Sequence, residues 1–362
     1  MFHEGLKGVV AARTKISHID GHEGILIYRG YKIGELTMSF SFEEVAYLLW
    51  YGHLPSEEEL KHLKHELVKH RHLTPTLKMV IDTLPVEMDM MSVLRTAISA
   101  EGTNKYGWKP SISQAIKLTA IVPTIIAYRN SKVNNTSYTV PNNELDHIEN
   151  YLYMLTGNKP SKAVVDALET YMILTLEHGM NASAFSARVT ASTQSDLVSA
   201  ITSAIGTMKG PLHGGAPSGV IDLLNEIGTI DHAEEVVRTK LEHGERIMGF
   251  GHRVYKTHDP RAVAIREKLL QSKGKDHSLD LALHVENIAI ELLNELKPGR
   301  SLYTNVEFYA AAIMKSINLQ PELFTPTFTA SRVVGWTAHV LEQAENNTIY
   351  RPKSQYIGNL DI

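Results

Sequence analysis

The chain is predicted to be mostly α-helical, on three observations. Apolar residues recur at helical spacing through most of its length, Ser-x-x-Glu helix-start signals precede two such runs, and strand-like segments are few and short. Taken in order, a β-like alternation runs from Gly24 to Gly30. Ser41-Phe42-Glu43-Glu44 then has the spacing of a capping box and opens an apolar helix through Trp50. Ser56-Glu57-Glu58-Glu59 repeats the signal after Pro55. Helical patterns follow from Met90 to Ala100, Ser113 to Tyr128 and Ser161 to about Glu177, the last with Val164, Val165, Leu168, Met172 and Leu176 on one stripe. The polar stretch Asn130 to Asn143 lacks periodicity and reads as a surface loop between helices. The turn after Pro211 and the region Pro321 to Pro326 are the best hinge candidates by composition.

A chain of 362 residues with 43% hydrophobic content has core enough for two domains, or for one large body with a lobe. Without cysteine there is no disulfide, thiolate nucleophile or zinc-thiolate site. The N-terminus lacks the apolar region of a secretory signal, and the longest oily run, Ala115 to Tyr128, is too short to span a bilayer. The expectation is a soluble cytoplasmic protein. A net charge of -4 gives no global field for nucleic acid or an anionic membrane, so neither is an expected partner and any bound anion must be met locally.

The histidine-rich run His62 to His72 resembles a metalloprotease motif with the wrong spacing, although His62, Glu66 and His70 could share a helix face as an adventitious metal site. A five-residue step carries His70 about 140° around a helix from His65, so the two rings diverge, and the run reads as a solvated face. No phosphate loop is present, and Gly249-x-Gly251 lacks the third glycine of a dinucleotide fingerprint.

Three other segments carry chemistry. His213 stands among glycines directly before an apolar helical pattern, Val220 to Asn225. Near a helix N-terminus an imidazolium is disfavoured, which suits a neutral ring that donates to a developing oxyanion; a turn histidine capping the helix is the competing reading. In Gly249 to Arg261 the glycines expose His252, Asp259-Pro260 starts a helix, Arg261 can grip a carboxylate bidentately and Lys256 is a point charge for phosphate. A plain basic turn is the alternative there. Glu307 lies between Val306 and Phe308, where apolar neighbours desolvate the carboxylate and make it a stronger base. His178 stands at a glycine-terminated helix end, and Arg332 and Arg351 add guanidiniums, with Pro352 biasing Arg351 toward extended backbone. A base, a neutral imidazole donor and a second imidazole suit proton abstraction α to a thioester, followed by attack on a ketone.

Lys209 to Ala216, Gly249 to Arg261 and Asn305 to Tyr309, in this order, resemble the signature of the citrate synthase family. The similarity runs over nearly the whole chain and is greatest to the short bacterial members. It implies a large helical domain formed by both chain ends, residues 1–214 and 320–362, and a smaller helical lobe, 215–319. It further implies condensation of acetyl-CoA with oxaloacetate, with His213, His252 and Glu307 catalytic. His178, Arg261 and Arg332 would hold oxaloacetate, Arg351 would reach the neighbouring site of a homodimer, and Lys256 and, more weakly, Arg300 would meet coenzyme A. No metal or redox cofactor is implied. Glu307 departs from the family pattern, where aspartate is usual. 2-Methylcitrate synthase, using propionyl-CoA, and a weakly active regulatory paralogue are the alternatives.

Overall fold

A computed structural model describes residues 2–214, 218–252, 254–271, 277–300 and 302–359. Near the N-terminus β1 (Ser17–Asp20), β2 (Ile25–Tyr28) and β3 (Tyr31–Lys32) form a three-stranded antiparallel sheet in the order β1-β2-β3, with Ser17 opposite Tyr28 and Ile27 opposite Lys32. The alternation predicted at Gly24 to Gly30 is thus β2, the middle strand.

Helices make up the rest, and their starts follow local chemistry. After α1 (Ile33–Ser39), both predicted capping boxes are present: Ser41 and Glu44 open α2 (Phe42–Tyr51), and Ser56 and Glu59 open α3 (Glu57–His70). Thr74 caps α4 (Pro75–Thr83) and Asp89 caps α5 (Met90–Ala100), whose bounds are those predicted. The next, α6 (Ile112–Val133), runs longer than predicted and carries Pro123 inside. Asn130 to Val133, assigned to a loop from sequence, form its last turn. There the Asn134 amide and side-chain Nδ2 both donate to the carbonyl of Asn130, and Lys132 pairs with Asp82 at 3.2 Å.

The helices α7 (His147–Thr156), α8 (Lys162–Thr175), α9 (Ala182–Ser192) and α10 (Leu197–Met208) complete the first part of the body, and α16 (Phe324–Glu345) returns through its middle. Almost every side chain of α16 from Phe324 to Ala344 is buried, against α2, α5, α6, α8, α9 and α10. Its buried polar groups are paired: Thr337 accepts from Trp50 Nε1 at 2.9 Å and Ser331 donates to the carbonyl of Met172 at 2.6 Å.

Between α10 and α16 lie α11 (Ser218–Ile227), α12 (Ala233–Glu242), α13 (Pro260–Leu270), α14 (His277–Leu296) and α15 (Val306–Ser316). They pack largely on one another; α13 also packs on α1 and α8, and α15 on α8. The lobe boundary expected at residue 215 lies outside the described residues. On α3, Glu66 takes Lys69 at 3.1 Å and His70 at 3.6 Å, and no group of three or more metal-ligating side chains occurs among the described residues. Among them, too, no helix is long and apolar enough to cross a membrane.

Gly335 is where α16 passes the end of α8. A Cβ there would clash with the carbonyl oxygen of Leu176 and stand 2.8 Å from Glu177 Oε2. Gly335→Ala is expected to cost about 1–3 kcal/mol, the usual cost of overpacking. A fall in the denaturant midpoint, read by far-UV circular dichroism, checks it.

Candidate active site

The glycine-bearing segment Gly249 to Gly251 is stitched to the segment Tyr303 to Asn305 that precedes α15. The Asn305 amide donates to the carbonyl of Gly249 at 2.9 Å, the Gly251 amide to that of Tyr303 at 2.7 Å and Asn305 Nδ2 to that of Gly251 at 2.9 Å. Gly249 and Gly251 have φ of 89° and 87°, which a side chain rarely adopts, and a Cβ on Gly249 would stand 2.8 Å from that of Phe308. The pairing places His252 beside the start of α15, which carries Glu307.

His252 has an assigned proton. Its Nδ1 accepts the backbone N–H of Val254 at 3.0 Å and of Tyr255 at 3.1 Å, so the proton of the neutral ring is on Nε2. Arg261 NH2 lies 3.2 Å from that Nε2. A guanidinium only donates, so two donors face one space, an arrangement that an acceptor oxygen completes. Burial and the charge of Arg261 push His252 down to about 4.

Arg261 is held by the buried carboxylate of Asp259, which accepts Arg261 Nε at 3.0 Å and NH2 at 2.9 Å, together with the Arg261 amide. The bidentate grip foreseen for a substrate is therefore made to Asp259, and the NH1 end of the guanidinium is what remains for an external carboxylate. Asp259 also accepts the Val306 amide at 3.1 Å. Burial pushes this carboxyl up, but Arg261 outweighs it and the net shift is downward.

His178 stands across from His252, ring centres 6.0 Å apart, with its Nε2 3.0 Å from the Tyr255 hydroxyl. Burial first, then Arg261 and Arg332, push it well below the ordinary histidine value. Arg332 is buried, its Nε donating to the carbonyl of Thr175 at 2.6 Å and its guanidinium 4.7 Å from the Phe328 ring centre.

His213 follows the end of α10, and burial with Arg332 pushes it down to about 4. Burial is thus the main cause of this shift; Gly215 to Pro217, which separate His213 from α11, lie outside the described residues. Ser183 Oγ sits 2.6 Å from His213 Nε2 and 2.8 Å from Asn181 Oδ1, and accepts from Trp336 Nε1 at 2.9 Å. Ser183 has one proton for two acceptors. Pointed at Asn181, it leaves Nε2 as donor; pointed at His213, it moves the ring proton to Nδ1.

Glu307 has its amide fixed by Asn305 Oδ1 at 3.0 Å in the first turn of α15. Partial desolvation raises its carboxyl, Arg261 lowers it and Asp259 raises it again, for a net upward shift. The side chain keeps an exposed edge, so this desolvation is incomplete. Beneath His178, the fully buried Glu177 accepts His339 Nε2 at 3.1 Å and Ser17 Oγ at 2.9 Å. His339 Nδ1 in turn accepts Arg188 Nε at 2.9 Å, and Arg188 pairs with Glu342.

The structure therefore brings His178, His252 and Arg261 into direct contact, couples Arg332 to His178 and His213, and couples Glu307 to Arg261 and Asp259. Lys256 is exposed, its charge still felt at His252. Arg300, in the turn after α14, and Arg351, in the extended segment after α16, are exposed and outside the cluster. Sequence reasoning missed Glu177, Ser183, Tyr255, Trp336 and His339, and saw Asp259 only as a helix start. Asp-Pro-Arg was the one local signal among these.

The sequence profile of the family described as citrate synthase, C-terminal domain, matches residues 5–353. The citrate synthase of Synechocystis is 39% identical, covering 100% of this chain and 92% of its own. The 2-methylcitrate synthase of Mycobacterium tuberculosis is 38% identical, covering 98% and 90%. Among solved structures, the citrate synthase of Thermoplasma acidophilum in ternary complex with carboxymethyl coenzyme A and oxaloacetate superposes with a TM-score of 0.86, at 32% identity over 100% of this chain and 97% of that one. On the family profile and these relatives, the chain belongs to the citrate synthase family and is an acyltransferase of that type.

Proposed function

We propose that the chain condenses acetyl-CoA with oxaloacetate and hydrolyses the citryl thioester, giving citrate, free coenzyme A and a proton. The observation that carries this reading is the pair of donors, His252 Nε2–H and Arg261, aimed at one space. A ketone oxygen that gains negative charge as its carbon is attacked needs such a pair. Glu307 takes the methyl proton of the thioester, and His213 donates to the thioester oxygen once Ser183 turns its proton toward Nε2. The enol carbon then attacks the ketone carbon, and water cleaves the thioester. His178, Arg261 and Arg332 hold the carboxylates of oxaloacetate.

Residues 215–319 act as a lobe that closes on the body, since His252, Arg261 and Glu307 belong to the one and His178, His213 and Arg332 to the other. Oxaloacetate binds first. Lys256 and Arg300 take coenzyme A phosphates, no metal or redox cofactor takes part, and the protein works as a cytoplasmic homodimer. Arg351 makes no hydrogen bond or ion pair with the described residues, which supports its serving the partner's site. Propionyl-CoA is the second reading, because identity to the 2-methylcitrate synthase, 38%, is close to the 39% to the citrate synthase named above. One methylene shifts discrimination by only about 1–3 kcal/mol. A regulatory paralogue with little activity rests on Glu307 alone.

Thiol release from acetyl-CoA and propionyl-CoA, each with oxaloacetate, tests the reading. The expected result is a kcat/KM higher for acetyl-CoA, and no release with either would sink it. Glu307→Gln is expected to lower kcat by roughly 100-fold or more, the usual contribution of a positioned base, with the oxaloacetate Kd unchanged; an active glutamine variant removes Glu307 as the base.

The pH profile has a definite sign. His213 and His252 are pushed down to about 4, so both stay neutral as pH falls through 6.5, whereas Glu307, shifted upward from 4.5, must be ionised to act. Activity at saturating substrate is expected to fall on a single acid limb above pH 4.5 set by Glu307. A limb that survives in a variant with residual activity at position 307 would assign it elsewhere.

For the shared site, Arg351→Ala and His252→Ala homodimers should each be nearly inactive, and mixing subunits should restore one site in two. Mixed dimers, verified by mass, that recover no turnover would refute it.

A further inference from the structure

Tyr255 is buried, 3% exposed, and meets three groups of the site at once. Its amide donates to His252 Nδ1 at 3.1 Å and its ring centre lies 4.9 Å from that imidazole. Its hydroxyl stands 3.0 Å from His178 Nε2, a residue 77 positions away, and the Arg261 guanidinium lies 5.8 Å from its ring centre. The backbone is clamped on its far side as well. The Lys256 amide donates to the carbonyl of Gly21, in the turn between β1 and β2, at 2.7 Å, and a Cβ on Gly21 would clash with the carbonyl oxygen of Val254.

A phenol has one proton, and a buried one needs an acceptor. Among the described residues the acceptor in reach of this hydroxyl is His178 Nε2. The reverse arrangement, with His178 donating to the phenol oxygen, strands the phenolic proton in the interior. We propose that Tyr255 is a positioning residue whose hydroxyl donates to His178 Nε2 and so fixes the His178 proton on Nδ1, making His178 a hydrogen-bond donor to the dicarboxylate substrate. One loop residue then sets the tautomers of both imidazoles, His252 through its backbone and His178 through its side chain. This inference rests on the oxaloacetate reading given above. Burial also raises the phenol's pKa, so the proton stays in place across the working range.

Tyr255→Phe keeps the ring and removes the hydroxyl. The oxaloacetate KM is expected to rise roughly tenfold, in keeping with one buried hydrogen bond, while kcat and the acetyl-CoA KM at saturating oxaloacetate change less than about twofold. Nitrogen-15 NMR of the full-length protein labelled at histidine, with His178 assigned by loss of its signals in His178→Gln, should show Nε2 unprotonated in the parent protein and a tautomer mixture in Tyr255→Phe. A proton on Nε2 in the parent overturns the proposal. So does an unchanged oxaloacetate KM, or a loss confined to kcat with a lowered thermal midpoint, which is what a purely structural role predicts. If the parent protein does not condense acetyl-CoA with oxaloacetate, the functional reading fails instead, and the nitrogen spectrum alone decides the role of Tyr255.

Discussion

The buried carboxylate of Asp259 is the contact on which the site depends. It accepts four donors: the amide, Nε and NH2 of Arg261 and the amide of Val306. Two of these anchor the guanidinium, one starts α13 and one starts α15, so the arginine beside His252 and the helix bearing Glu307 are registered by a single group. Burying a carboxylate is costly unless its lone pairs are filled, and here they are. Removing Asp259 would leave Arg261 unpaired in the interior and release both helix starts together.

A second buried carboxylate supports the opposite wall. Glu177, His339, Arg188 and Glu342 alternate through the space between α8, α9 and α16. Arg188 Nε only donates, so His339 Nδ1 accepts and its Nε2 donates to Glu177. Each member fixes its neighbour's proton, and the chain ends directly under His178. Gly335 permits this by letting α16 approach Leu176 and Glu177 closely enough for His339, one helical turn on, to reach the carboxylate. Such networks hold one geometry when every member is satisfied, which is what a site built on paired imidazoles requires.

The helical class, the capped starts of α2 and α3 and the bounds of α5 were legible because caps and periodicity are written in neighbouring residues. The extra turn of α6 was not, since the asparagines there look like loop until Asn134 is seen closing the helix. His213, His252, Arg261 and Glu307 were legible as chemistry because glycines or apolar neighbours flank them. Tyr255, Ser183 and His339 were not. Their partners are 77, 30 and 162 positions away, and an isolated tyrosine, serine or helical histidine gives no sign of such a pairing. The part of Arg332 and of burial in keeping His213 neutral was hidden for the same reason: Arg332 is 119 positions downstream, and burial follows from packing.

Why the imidazoles stay neutral follows from both charge and geometry. Arg261 and Arg332 are permanent cations, and a protonated ring placed between them would add charge to charge without water to screen it. Electrostatics therefore depresses His178, His213 and His252 together, burial being the larger cause in each. At His252 the hydrogen bonds reach the same result independently. Its Nδ1 already accepts two backbone N–H groups, so a proton added there would face two donors and break both contacts. The ring is thus held from taking a proton at Nδ1 while Nε2–H stays directed at the space it shares with Arg261. A neutral donor poised over that space strengthens as negative charge develops on an oxygen within it, and strengthening in the transition state is what lowers a barrier.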